Sequence, residues 1–223
     1  MISKWKKTGK LSIVGKIWVL FVIGLIVSIP QLFSTNFNLL DIMSNNYSEE
    51  IKILFLVLGI ISGILSIVVN ILLQPAFYLG QQYVYLKVVR EEKFSIKDAF
   101  YGFNNYKKAI KLYLIMMLYI VGGLILFIIP GIILAYRYSM CFYILADEKD
   151  ISVRECLKKS KEITSGYKMD LFLMDLSYIG WLVLSLLTLG ILSIWLTPYM
   201  LASRTAAYLD LNPIEFVNES EWQ

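Results

Sequence analysis

The chain has 223 residues, of which 58% are hydrophobic, and a formal net charge of +4. Its mean hydropathy of +0.66 and its long apolar blocks exclude a water-soluble domain, so we expect an all-α membrane protein. The chain has no histidine, which removes the usual general base and the commonest transition-metal ligand. We therefore expect no enzymatic activity, no cofactor and no metal site.

The N-terminal segment, residues 1–16, is basic and precedes an apolar segment from residue 17 to about residue 33. A signal peptide would end in a small-residue cleavage site, and SIPQLFS is a poor one. We therefore predict an uncleaved first span with its N-terminus in the cytoplasm. The basic residues of this segment are Lys4, Lys6, Lys7, Lys10 and Lys16.

Residues 34–50 are polar and contain no Lys or Arg, as is typical of a loop translocated across the membrane. A second span follows over about residues 53–73, and it contains Gly and Ser residues that would allow another helix to approach closely. It continues past Pro75 toward the cytoplasm. These segments predict a first hairpin over residues 17–85.

Two further hairpins are predicted, over residues 111–146, turning at Pro130 and Gly131, and over residues 171–209, turning at Gly190. Basic connections, residues 87–111 and 147–168, precede them. Each connection contains a Ser followed three residues later by an acid, which predicts the start of a short amphipathic helix. The two signals are Ser95 with Asp98 and Ser152 with Glu155.

The positions of the basic residues predict the orientation. Of the 21 Lys and Arg, Lys52 alone falls in an external loop, and Arg137 and Arg204 fall within spans. The others are cytoplasmic if six spans form three hairpins with both termini inside, as one polytopic domain over residues 1–223 in the cell membrane. Anionic lipid head groups are then the expected partners, and nucleic acid is not expected. The basic residues of the second connecting helix are Arg154, Lys158, Lys159 and Lys161.

An internal repeat is indicated by FSIKDAF, residues 94–100, and ISVRECL, residues 151–157, which match class by class. Each copy is followed by a basic stretch, a span, a Gly-containing turn and a returning span. The first hairpin is a weaker third copy. Because all the hairpins have the same orientation, these would be parallel repeats about an axis along the membrane normal. The alternative is that apolar hairpins resemble one another by composition.

The run PGIILAYRYSMCFYILADEKDISVRECLKKSKEITSGYK, followed by IGW, TLGIL and TPYM, resembles the bacterial integral membrane family catalogued as domain of unknown function 975. The resemblance covers about residues 130–210 well and the N-terminal half loosely. It implies a membrane protein of the kind found mostly in Gram-positive bacteria. Since that family has no established activity, it implies no catalytic residues.

The charged residues within spans are the candidate functional residues. Asp175 and Arg204 are expected at similar depth, where they can pair, and Arg137 should face the bundle interior, because an intramembrane Arg is costly if unpaired. With Asn70 and Gln74, they could line a polar cavity or bind an anionic head group. The alternative is one structural ion pair, a snorkelling Arg and ordinary interhelical hydrogen bonds.

Two functions remain open from the sequence. The first is a non-enzymatic envelope accessory or immunity-type factor against membrane-active peptides, with a membrane protein or peptide as a possible partner. The second is a small transporter or lipid-handling protein, with an anionic ligand near Arg137 and Arg204. An intramembrane enzyme is poorly supported, because Asp175 has no acid–base partner within a span.

Overall fold

The computed structural model describes residues 1–32, 48–148 and 150–212. Most of the predicted external loop and the acidic tail from residue 213 lie outside the described residues. The elements of regular structure within these ranges are all helical. They are α1 Ile2–Ser12, α2 Ile17–Leu32, α3 Glu49–Val89, a 3₁₀ helix Ile96–Phe103, α4 Tyr106–Leu126, α5 Ile128–Arg137, α6 Cys141–Asp147, α7 Val153–Ile163, α8 Lys168–Leu176, α9 Ile179–Leu187 and α10 Ser193–Leu211.

Four helical segments among the described residues are long and apolar enough to cross a membrane. A fifth is added if α1 and α2, which meet at a bend of 99°, are taken as one broken span. These lengths and compositions are those of an all-α membrane protein, whereas the six-span arrangement stays a prediction. The four segments are Glu49–Val89, Tyr106–Leu126, Ile128–Asp147 and Lys168–Leu187.

The protein core lies where α3, α6 and α10 end. Tyr85, Tyr143 and Tyr208 come from these three helices and are almost completely buried. The rings of Tyr143 and Tyr208 stack with their centroids 5.4 Å apart. By contrast, most of the apolar side chains near the turns of the second and third hairpins are exposed. The three returning helices are therefore packed together at one end of the bundle.

Three short helices, α1, the 3₁₀ helix and α7, each pack closely against the backbone of the returning helix of a hairpin, which is α10, α3 or α6 respectively. A Cβ atom on Gly9 of α1 would lie 2.4 Å from the amide nitrogen of Ser203 in α10. A Cβ atom on Gly80 of α3 would lie 1.9 Å from the carbonyl oxygen of Ala99 in the 3₁₀ helix. In the third pair, α7 on α6, Cys156 Sγ donates to the carbonyl oxygen of Cys141 at 3.2 Å.

An ion pair accompanies each of these three contacts. About two helical turns beyond Gly80, Cys141 and Ser203, each returning helix or its C-terminal end carries a charged side chain. That side chain pairs with the same short helix that makes the backbone contact. The three ion pairs are Lys87 with Asp98, Glu148 with Lys159 and Asp210 with Lys4.

The structure differs from the sequence expectations in the type of one short helix and in the position of one hairpin turn. Both capping boxes are present, but the element that follows Ser95 is a 3₁₀ helix. The second hairpin reverses at Phe127, which is the one extended residue between α4 and α5. Pro130 lies in the first turn of α5 instead, because a missing N–H costs nothing there.

Candidate functional site

Asp175 and Arg204 are brought together by the last hairpin. Arg204 Nη2 of α10 donates to Asp175 Oδ2 of α8 at 3.0 Å. The hydroxyl of Tyr136, from α5, donates to the same oxygen at 2.9 Å. The carboxylate therefore joins the second hairpin to the third.

The Arg204 guanidinium is held by its neighbours. Its Cζ lies 5.8 Å from the Tyr136 ring centroid, a cation–π distance. Its Nε is buried and has no hydrogen-bond partner within the described part of the chain. Because Asp175 balances the charge of Arg204, this pair has little positive charge left for an anionic ligand.

Arg137 lies apart from this pair, although it follows Tyr136 directly. Its carbonyl oxygen accepts hydrogen bonds from Ser160 Oγ at 2.9 Å and Thr164 Oγ1 at 3.2 Å, both in α7. Its guanidinium Cζ lies 5.6 Å from the ring centroid of Tyr138. Over residues 1–32, 48–148 and 150–212 the structure shows no ion pair to Arg137, so its main chain anchors α7 while its charge is unbalanced.

Asn70 and Gln74 lie on α3. Asn70 Nδ2 donates to the carbonyl oxygen of Ser66 in the same helix at 2.9 Å. Gln74 lines a cleft of about 660 Å³ between α2, α3 and α10, and its Oε1 is buried without a partner among the described residues. The structure therefore does not bring the five candidate residues into one cavity.

The residues that line this cleft are apolar or uncharged. Two further glutamines contribute, one from α2 and one from α3, and hydroxyl groups come from α2, α3 and α10. An uncharged amphiphilic ligand would suit this lining better than an anionic one. The polar lining residues are Ser28, Gln31, Gln74, Tyr78, Gln81, Tyr85, Ser193 and Thr197.

A second charged network, not predicted from the sequence, lies where the returning helices end. Arg90 donates from two nitrogens to Asp147, at 2.7 and 2.8 Å, and Tyr208 Oη donates to Asp147 Oδ2 at 3.0 Å. Hydrogen bonding to Asp147 raises the pKa of Arg90. Arg90 and Asp147 each directly follow an apolar stretch in the sequence, and this position at the end of a span is the signal from which the network could have been predicted. The network joins the ends of α3, α6 and α10.

The basic helix α7 presents most of its charge to the surroundings. Arg154, Lys158 and Lys161 are exposed, whereas Lys159 pairs with Glu148. Lys158 comes no closer than 4.0 Å to Glu162, so it remains available to other groups. This face could contact anionic lipid head groups.

The two thiols, Cys141 and Cys156, are buried and free. Within the described ranges, no group of three or more His, Cys, Asp or Glu side chains could hold a metal ion. These arrangements supply ion pairs, helix packing and a cleft.

Comparison with known proteins identifies one part of the chain. A family model described as "Protein of unknown function (DUF975)" matches residues 114–214, which run from α4 to just beyond α10. No curated protein and no solved structure matches the chain. Residues 114–214 are therefore similar to the DUF975 family, whose function is unknown, and the resemblance found in the sequence is confirmed over that range.

Proposed function

We propose that this chain is a non-enzymatic, multi-pass protein of the cell membrane that acts as an envelope accessory or immunity-type factor against membrane-active peptides. In this proposal, both termini and the basic connections are cytoplasmic. The three hairpins are parallel repeats, and the basic helices hold anionic lipid head groups at the cytoplasmic surface. A membrane protein or peptide is the expected partner.

The observation that carries the proposal is the repeated packing of a short helix on each returning helix. The contacts at Gly9, Gly80 and Cys156 are alike, because in each case an ion pair to the same short helix follows about two turns further along the returning helix. Two of these short helices, α1 and α7, carry several Lys or Arg residues. Basic helices of this kind would bind the surface on which cationic membrane-active peptides also act.

The test is a challenge of cells with membrane-active peptides, with and without the gene. We expect cells without it to be inhibited at lower peptide concentrations, and the wild-type gene to restore resistance. The variant Arg154→Gln with Lys158→Gln and Lys161→Gln should restore it less well. The matched control exchanges Arg154→Lys, Lys158→Arg and Lys161→Arg, which keeps the charge. Unchanged sensitivity in the deletion strain would overturn the proposal.

A second candidate function, lipid handling or transport, is favoured by the cleft between α2, α3 and α10. Its volume of about 660 Å³ lies within the range of small-molecule sites, and the buried Gln74 Oε1 offers a hydrogen-bond acceptor. An anionic ligand at Arg204 is disfavoured, since Asp175 occupies that guanidinium. Of the two arginines predicted within spans, Arg137 is the one without an ion pair among the described residues, so it is the candidate for such a ligand.

Native mass spectrometry of the protein in lipid nanodiscs distinguishes a ligand in the cleft from a ligand at Arg137. A lipid retained by the wild type and lost in Gln74→Leu, but kept in Arg137→Gln, would assign it to the cleft. Loss in Arg137→Gln alone would assign it to the arginine. If neither variant changes the lipids retained, the transport and lipid-handling candidate fails.

A further inference from the structure

The turns of the second and third hairpins consist mostly of apolar residues and contain no charged residue. The side chain of Phe127, between α4 and α5, is 74% exposed, and that of Leu189, between α9 and α10, is 94% exposed. The sequence has no charged residue between Lys111 and Arg137, or between Asp175 and Arg204. A turn that emerges into water or head groups normally carries polar residues. These turns therefore have the composition of segments surrounded by acyl chains.

The first hairpin has a different outer end. The helix α3 begins with Glu49 and Glu50, and Lys52 follows within its first turn. From Ala76, which contacts the 3₁₀ helix at Gly102, to Glu49 the helix rises about 40 Å. A bilayer is about 40–45 Å thick including its head groups. This hairpin is long enough to place charged residues on the far side.

The third hairpin extends less far beyond its contact with the basic helix α1 than the first hairpin extends beyond its contact with the 3₁₀ helix. Lys6 Nζ of α1 donates to Ser177 Oγ at 3.0 Å, and Gly9 of α1 abuts Ser203 of α10. These contacts mark the level of the basic helix on both arms. From Ser177 to Leu187, and from Ser203 to Ser193, the arms rise only about 15 Å. That is half of the hydrocarbon core, which is about 30 Å thick.

The second hairpin reaches a similar height above its own basic helix, α7. Ser160 of α7 bonds to the carbonyl oxygen of Arg137, and α5 rises about 14 Å from there to Ile128. On the other arm, the rings of Tyr119 and Tyr138 stack at 5.5 Å. From Tyr119, α4 continues for only about 10 Å. Beyond these contacts, both arms therefore extend by no more than about half of the thickness of the hydrocarbon core.

The third turn also satisfies its own backbone groups, as a turn within hydrocarbon must. Thr188 Oγ1 donates to the carbonyl oxygen of Ser185 at 3.0 Å and accepts from the amide of Leu192 at 3.3 Å. The amide of Gly190 donates to the same Ser185 oxygen at 2.8 Å, and Ser193 Oγ donates to the carbonyl of Gly190. The polar side chains of this turn thus bond to its main chain.

The second turn makes fewer backbone hydrogen bonds than the third. The amide of Phe127 donates to the carbonyl oxygen of Gly123 at 3.0 Å, and the amide of Gly131 donates to the carbonyl oxygen of Phe127 at 3.3 Å. Pro130 has no N–H to satisfy. A single residue outside helical geometry, Phe127, therefore makes the reversal.

We propose that the second and third hairpins enter the bilayer from the cytoplasmic side and turn near its middle, where their tips contact the acyl chains of the cytoplasmic leaflet. The first hairpin alone crosses completely. The termini and basic connections keep the sides expected for six spans, since each half-inserted hairpin also returns to the cytoplasm. The protein then adds volume mainly to one leaflet and acts as a wedge in it.

The test uses single added cysteines in the full-length protein. Tip positions are Leu126→Cys, Phe127→Cys, Leu189→Cys and Ile191→Cys, and the native thiols stay in place because both are buried. A membrane-impermeant maleimide is added to intact cells and then to permeabilised cells. We expect no tip cysteine to be labelled in either state and all to be labelled after SDS. Glu50→Cys should be labelled in intact cells, and Glu92→Cys only after permeabilisation.

Depth is measured on purified tip variants carrying bimane, in vesicles whose lipids bear nitroxides at different depths. Strongest quenching by nitroxides near the acyl-chain ends supports the proposal. Strongest quenching by head-group nitroxides, or labelling of tip cysteines in intact cells, overturns it. Tip-to-tip disulfide dimers would also overturn it, because a second chain would then cover the tips. Reversed labelling of Glu50→Cys and Glu92→Cys would instead overturn the proposed sidedness.

Discussion

Arg90 and Asp147 form a two-bond ion pair, with nitrogen–oxygen distances of 2.7 and 2.8 Å, between residues that end separate hairpins. Tyr208 completes the contact from α10 by donating to the same carboxylate. The ends of the three returning helices are thus joined through one aspartate. Charge-assisted bonds with two parallel contacts are among the stronger interactions in proteins.

We expect Asp147→Asn to lower the free energy of unfolding by about 2 kcal/mol, because Arg90 would lose its charged partner at a largely buried position. Unfolding in detergent, followed by tryptophan fluorescence, measures this change. The control is Lys158→Gln, which removes a long contact between exposed side chains. That control should cost less than about 0.5 kcal/mol. Equal effects of the two variants would contradict the role of the network.

The Asp175–Arg204 pair predicts a non-additive pair of substitutions. Arg204→Met alone should lower the free energy of unfolding by about 3 kcal/mol, because Asp175 remains as an unpaired charge beside apolar helices. Adding Asp175→Leu should recover part of that loss. The measurement is a double-mutant cycle on purified protein in detergent or bilayers. Additive losses in the cycle would show that the two side chains do not depend on each other.

The crossing of α3 with the 3₁₀ helix predicts a steric effect at Gly80. A Cβ at this position would meet the carbonyl oxygen of Ala99 at 1.9 Å, and backbone atoms cannot move aside cheaply. We expect Gly80→Ala to lower the free energy of unfolding by about 2 kcal/mol or more. The control is Gly122→Ala in α4, where nothing lies within 4 Å of the added atom. Comparable melting temperatures for both variants would refute the close crossing.

The burial of Cys156 predicts slow thiol chemistry. Burial raises the pKa of the Cys156 thiol well above its usual range, so the reactive thiolate is scarcer at pH 8 than in an exposed cysteine. We expect a maleimide to leave the native protein unmodified and to modify both native thiols after SDS. Ser165→Cys, at an exposed position, provides the positive control. Mass spectrometry counts the adducts, and rapid modification of Cys156 would contradict its packing against Cys141.

Local signals in the sequence predicted the all-helical class, helices apolar enough to cross a membrane, and the starts of two short helices. Hydrophobic blocks indicate helices suited to a bilayer because every backbone group there must be bonded internally. Ser152 with Glu155, and Ser95 with Asp98, predicted the two capping boxes because a capping box depends on four consecutive residues. The sequence also indicated that Asp175 and Arg204 could meet, since both are near the same end of one hairpin.

Tertiary structure decided which residues share a site. Tyr136 reaches Asp175 while Arg137 does not, since neighbouring residues on a helix point about 100° apart. The direction in which each faces depends on how α5 packs against α8. Likewise, Arg90 meets Asp147 only because α3 and α6 end side by side. Composition and local pattern fix what each segment is, whereas long-range packing fixes which side chains meet and how far each hairpin rises above its basic helix.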